Sequence, residues 1–318
     1  MERRRILVTG AGGFLGSWLS ERLETEGYVV TRVSLTLTDA LRSIKGPLII
    51  ADLCTADLRE IVAGQDCVFH LAATATLRES IADPEATMRN NAEATRRLLE
   101  AIEATAKREQ KVHFVLASSE RVYGNVEIET VDEESPVHPA EVYAESKLRA
   151  ERYCQEFSQR GSITYTIVRA ANVFGPRQNR EMFIPACILR ILAAHRTGAT
   201  HILVGNTSHY RNFIFVEDFI DAFLAILRNP ASHNQIFNIG GENRQVQEVL
   251  AMLEQIAKEQ LEFSFDIRQN ADLERSSNIE LPRHILDCRK AERLLNWRPQ
   301  HSFRSGLEKT FAYYRQQG

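Results

Sequence analysis

Tyr143 and Lys147 stand four residues apart in the run Tyr143-Ala144-Glu145-Ser146-Lys147, a spacing that puts both side chains on one face of a helix. An ammonium beside a phenol favours the phenolate, so the pair predicts a tyrosine able to take a proton from an alcohol. On a surface helix the same spacing would be a solvated face and nothing more. Two upstream stretches argue for chemistry. One is the glycine-rich run Thr9-Gly10-Ala11-Gly12-Gly13-Phe14-Leu15-Gly16. The other is Ser118-Ser119, whose serine can hydrogen-bond the hydroxyl that Tyr143 would deprotonate.

The elements that must carry these residues follow from the pattern. Ile6-Leu7-Val8 reads as a buried strand, and a helix from Ser17 to about Glu26 follows the glycines. Strand, glycine turn and helix in that order let a dinucleotide pyrophosphate approach bare backbone at Gly10, Gly13 and Gly16, with Phe14 and Leu15 as further cofactor contacts. Tyr28 to Leu35 is a second strand, ending at Ser34 where an acid would bind the adenosine ribose of NAD. Ser34 is thus either a ribose contact or a solvent-facing strand end, and NADP stays open beside NAD. Pro47 to Ala51 is a third strand, followed by Asp52-Leu53 in a position suited to adenine. Cys67 to Ala73 is a fourth, with His70 as a packed core histidine and with Ala72 and Ala73 leaving room for a cofactor. A long helix from Asp83-Pro84 to Lys107, a fifth strand from Val112 to Ala117 and the Tyr143 helix to about Gln159 complete an alternation that predicts a doubly wound parallel α/β sheet.

The chain has 318 residues, enough for one or two domains, with 44% apolar and 25% charged residues and a formal net charge of -3. That balance gives no attraction to nucleic acid or membrane, so phosphate contacts must be local. The five cysteines show no paired or metal-ligand spacing, which predicts a reduced, cytoplasmic protein without a metal site. The apolar run behind the basic amino terminus is too short for a signal peptide or a membrane span.

These stretches together resemble the extended short-chain dehydrogenase/reductase family, in particular its nucleotide-sugar epimerases and dehydratases. The resemblance is carried by Thr9-Gly10-x-x-Gly13-Phe14-x-Gly16, His70-Leu71-Ala72-Ala73, Asn91-x-x-x-Thr95, Ser118-Ser119-x-x-Val122-Tyr123-Gly124 and Tyr143-x-x-x-Lys147. Downstream it continues through Arg169-x-x-Asn172-Val173-Phe174-Gly175-Pro176-Arg177, Arg211-Asn212-Phe213, Phe237-Asn238-Ile239-Gly240 and Asp287 to Pro299. It implies a Rossmann-type domain over residues 1–175 that binds NAD, with Leu71 and Asn91 joining the cofactor contacts. A smaller substrate domain over 176–318 would send segments back to the sheet. It also implies Tyr143 as base, Lys147 lowering its pKa and contacting the nicotinamide ribose, and Ser119 sharing the sugar 4-hydroxyl. Asn172, Arg211 and, by position, Arg283 would hold the substrate diphosphate, with Thr76 and Arg177 on the same side. Family members commonly dimerise through the helix near Asn91 and the Tyr143 helix. Ala144, Leu148, Cys154 and Phe157 fit that bundle, or equally an intramolecular core face.

Three departures from the family pattern stand out. Ser34 replaces an acid, Asn212 replaces an aspartate, and Glu120-Arg121 follows the catalytic serine. Dehydratases commonly carry two acids after that serine, or a neutral residue and then glutamate, whereas simple 4-epimerases often have small or neutral residues. A 4-keto sugar has an acidic C5 hydrogen, and Glu120 is the acid that could remove it. The expectation is therefore a nucleotide-sugar dehydratase with Glu120 as its eliminating group. A 4-epimerase is the alternative if Glu120 pairs with Arg121 or points away, and a reductase or a non-catalytic dinucleotide sensor lies further off.

Overall fold

The computed structural model describes residues 3–38, 41, 46–106, 111–125, 130–270, 273 and 285–317. Seven strands form one parallel sheet: β1 (Arg5–Thr9), β2 (Val29–Ser34), β3 (Leu48–Ile50), β4 (Cys67–His70), β5 (Val112–Ser119), β7 (Ile163–Ala170) and β11 (Gln235–Ile239). Their spatial order is β3-β2-β1-β4-β5-β7-β11, a doubly wound Rossmann-like arrangement as the alternation predicted. Successive residues feed opposite faces. Ile6 and Val8 join one apolar layer and Leu7 the other.

Helices cover both layers. The first helix (Phe14–Thr25) and the helix Val216–Arg228 lie on one face, while Ala94–Thr105 and the Tyr143 helix (Val142–Arg160) lie on the other. The long helix expected from residue 84 is interrupted. Pro84–Met88 passes through a π turn, Arg89–Glu93, before Ala94–Thr105 resumes α geometry. Ala144, Leu148, Cys154 and Phe157 are all buried within the chain, so they serve the intramolecular core.

The remaining strands are short. β8 (Asn172–Phe174), β10 (Tyr210–Phe215) and β12 (Glu242–Gln245) form a three-stranded sheet, β9 (His201–Val204) pairs with β13 (Asp266–Gln269), and β6 (Thr130–Val131) pairs with β14 (Ile285–Leu286). The strand expected at Phe263 to Ile267 begins only at Asp266. The helix Val246–Leu261 ends on Glu262 in the left-handed region, and Phe263 and Phe265 stack on each other instead. β7 and β8 are separated by Ala171 alone, so the chain steps from the main sheet into the small one beside the carboxyl ends of β4, β5 and β7. Open parallel sheets gather their ligands there. No helix among the described residues is long and apolar enough to cross a membrane.

Candidate active site

The glycine turn is shaped by close approach. Gly10 has φ +68, and a Cβ there would lie 2.7 Å from the Ala72 backbone nitrogen, while one at Gly16 would overlap the Gly10 carbonyl. Larger residues are excluded at both positions. Gly13 donates to the Gly10 carbonyl at 2.9 Å and precedes a helix whose amino end has no side-chain cap. An uncapped helix amino terminus above a bare-backbone turn fits a dinucleotide pyrophosphate.

Around this turn the expected cofactor residues divide. Leu71 and Ala73 line the central cavity with Gly13, Phe14 and Leu15. Ser34 is buried rather than solvent-facing, and its hydroxyl donates to the Thr36 carbonyl at 2.8 Å. Asp52 accepts from the Cys54 backbone N–H at 2.8 Å, and Arg97 holds the Leu53 carbonyl at 3.0 Å, both at the outer end of β3. Asn91 acts as a brace in the π turn. Its side chain accepts from the Thr74 N–H at 2.7 Å and donates to Ser146 Oγ at 2.9 Å, tying the loop after β4 to the Tyr143 helix. His70 bridges Thr9 and Thr95 at 2.7 and 3.0 Å, and burial, helped by the Lys147 charge, pushes its pKa down to about 3. It is the core histidine the sequence predicted.

Ser119, Glu120, Tyr143 and Lys147 meet in one cavity of about 620 Å³, joined by Thr76, Asn172, Arg177 and Arg211. Glu141 starts the Tyr143 helix by accepting the Tyr143 N–H at 2.7 Å. The Lys147 ammonium lies 5.8 Å from the Tyr143 ring centre and donates to the Ala117 carbonyl at 2.8 Å. Tyr143 does not show the expected depression. Burial pushes the phenol up to about 12, opposed by a hydrogen bond with Ser119 and by Arg121, while the Glu141 charge reinforces the rise. Lys147 itself is pushed down to about 8 by burial, with Glu151 opposing. Desolvation outweighs the nearby charges at both groups.

Glu120 and Arg121 do not pair. Arg121 Nε bonds Glu141 at 2.9 Å, whereas Glu120 accepts from Asn172 Nδ2 at 2.7 Å. Burial raises Glu120 to about 7 against the charges of Arg211 and Arg121 and the Asn172 bond. Asn172 also donates to the Asn212 carbonyl at 3.1 Å. The Asn212 amide stitches β10 to the turn before β12, accepting from the Gly241 N–H at 2.8 Å and donating to the Gly241 carbonyl at 3.2 Å. An aspartate could accept but not donate there.

Other expected substrate residues are partly engaged. Arg177, left-handed at φ +71, bonds Glu21 at 2.8 Å and lies 5.0 Å from the Trp18 ring. The Thr76 hydroxyl caps its own helix through Glu79. Arg211 donates to the Tyr210 carbonyl at 2.6 Å. Arg283 lies outside the described residues. Sequence reasoning missed Gln178, Met182 and Phe183 in the cavity wall, and Arg78, Arg180 and Arg190 around an adjoining cavity that Tyr143 and Asn172 share. Their one signal was position, clustered at the start of the apolar helix Phe183–Thr197 and beside Thr76. No cluster of metal-ligating side chains occurs among the described residues.

Known proteins share this architecture. The model of the NAD dependent epimerase/dehydratase family matches residues 6–240. A UDP-glucose 4-epimerase of Mycolicibacterium smegmatis is 32% identical, with 98% of each chain covered. A dTDP-glucose 4,6-dehydratase of Streptomyces griseus is 28% identical over 97% of this chain and 93% of its own. Among solved structures, a UDP-glucuronic acid 4-epimerase from Bacillus cereus in complex with UDP-glucuronic acid and NAD superimposes with a TM-score of 0.86. It is 27% identical, covering 99% of this chain and 100% of that one. Glycine cradle, Ser119/Tyr143/Lys147 cavity and full-length similarity converge, and the chain belongs to the NAD dependent epimerase/dehydratase family, among its nucleotide-sugar enzymes.

Proposed function

We propose that this enzyme is a nucleotide-sugar 4-epimerase. NAD, held over the glycine turn at Gly10, Gly13 and Gly16, would supply reversible hydride acceptance at the sugar C4, the hydride coming back on the opposite face. Tyr143 takes the 4-hydroxyl proton with Ser119 sharing that oxygen, and gives the proton back as the alcohol re-forms. Lys147 supplies positive charge beneath them, and Asn172 with Arg211 holds the diphosphate. Across the two half-reactions the sugar loses and regains one proton and one hydride, so its mass is unchanged.

The observation that carries the choice is the environment of Glu120-Arg121. The second position after Ser119 holds a guanidinium bonded to Glu141, and the Glu120 carboxyl is engaged by Asn172 on the substrate wall. Elimination needs a carboxylate free to act at C5, and the Asn172 bond that engages Glu120, with a guanidinium in the next position, favours return of the hydride instead. A second reading, the dehydratase, draws support from the pKa of Glu120, which burial brings near neutrality in the same cavity as Tyr143. Incubation with UDP-, dTDP-, GDP- and CDP-sugars followed by mass analysis separates the two. Unchanged mass at a new retention time is expected. Loss of one water, abolished by Glu120→Gln, would replace the epimerase with the dehydratase. A homodimer belongs to this reading, with the exposed Arg149 and Arg152 on the outward face of the Tyr143 helix.

A further inference from the structure

Behind the cavity lies a set of buried charges that the reaction above does not use. Glu151 follows Lys147 by one turn of the same helix and is 2% exposed, while Arg169 on β7 is 4% exposed. Arg169 grips Glu151 through two nitrogens, Nε to Oε1 at 3.2 Å and NH2 to Oε2 at 2.8 Å. Ser118 Oγ donates to the same Oε1. Ser118 and Arg169 are register partners across β5 and β7, so one carboxylate joins the Tyr143 helix to both strands beside Ser119. A buried ion pair of this kind is often no more stabilising than apolar packing. Its presence at this level of the sheet therefore calls for another explanation.

We propose that Glu151 is a positioning residue, the buried counter-charge that keeps the Lys147 ammonium in place while it locks the Tyr143 helix to Ser118 and Arg169. The proposal rests on the reading of Lys147 as part of the active site. The charges around Lys147 come from every side. His70 on β4 is neutral, and Tyr143 is a phenol that burial pushes up. Arg169, over the Tyr123 ring at 4.9 Å, is a fixed cation. Glu120 lines the same cavity, and Glu151 is the acid whose charge opposes the burial of Lys147. Without it two cations share one buried cluster. Arginine does not release its proton in a protein, so the lysine must.

Titration of Lys147 in the NAD-loaded protein tests this directly. Lysine labelled with carbon-13 at Cε reports the charge of each ammonium by NMR, with the Lys147 signal assigned by its loss in Lys147→Arg. Glu151→Gln keeps the shape but removes the charge, and is expected to lower the Lys147 midpoint by about one unit or more. Arg169→Met leaves Glu151 to Lys147 alone and is expected to raise it. Simple loosening of the core would admit water and raise the midpoint in both variants. A midpoint that stays put or rises in Glu151→Gln overturns the proposal. Should that variant not fold, Glu151→Gln/Arg169→Met removes the stranded guanidinium together with the carboxylate. A midpoint below that of the natural protein again supports the assignment, and one equal to it or higher overturns it. Turnover is not read, so failure of the epimerase reading leaves this outcome intact.

Discussion

The two walls of the cavity are made from different kinds of backbone. The cofactor wall rests on β5, buried along its whole length, and on the 19-residue Tyr143 helix. The substrate wall rests on β8, three residues long, and on β10 and β12, where every residue of β12 is only half-buried. On the first wall, positions are set by sheet register and helical rise, and side chains are fixed by burial. On the second, short ladders are reinforced by side-chain amides, Asn172 and Asn212, that cross between strands. A rigid wall suits the chemistry that family members share, and a stitched wall suits what differs between substrates.

Breaking the first wall at its centre is expected to have the largest effect. Tyr143→Phe should cut turnover by about 10²–10⁴-fold while NAD uptake measured by calorimetry is retained. Turnover within tenfold of the natural enzyme would remove Tyr143 from its role. On the second wall, Asn212→Ala strands the half-buried Gly241 N–H and should cost about 1 kcal/mol, read from the urea midpoint. An unchanged midpoint would show that the stitching does not hold the substrate strands.

Glu120→Gln should act through pH, and its sign is set by the raised pKa. The Glu120 carboxyl titrates at about 7 in the folded chain against an ordinary 4.5. The folded state therefore binds this proton more tightly, and its contribution to stability is complete below pH 4.5 and lost as pH rises through 7. The glutamine variant lacks that loss. Its thermal midpoint should gain on that of the natural protein across this window and run parallel to it outside. Parallel curves throughout would show that the carboxyl is not desolvated.

The same division explains what the sequence revealed. The doubly wound parallel sheet, the glycine cradle and the Tyr143–Lys147 face were legible because each rests on a local rule: apolar runs, glycine spacing and a four-residue helical interval. β12 was not, since Glu242-Asn243-Arg244-Gln245 carries no apolar alternation. The π turn at Arg89–Glu93 has no sequence signature of its own. Glu151 reads as a solvated helix position, and only its placement against Arg169, 18 residues on, shows that it is buried. The expected lowering of Tyr143 by Lys147 failed because spacing conveys proximity but not desolvation, and desolvation proved larger.

The main sheet is closed by a strand from late in the chain. β11 pairs with β7, and the helix just before it lies on the first helix, with Arg22 meeting Asp221 at 3.3 Å and Arg228 meeting Glu26 at 2.5 Å. A break near residue 175 would strip the sheet of its edge and the nucleotide-binding helix of its cover. Recombination between relatives that exchanged halves at that point would have to re-fit both contacts at once. Exchange of the segments strung between β7 and β10 would leave both in place and would instead have to re-fit the bonds that Trp18 and Glu21 make to Pro176 and Arg177.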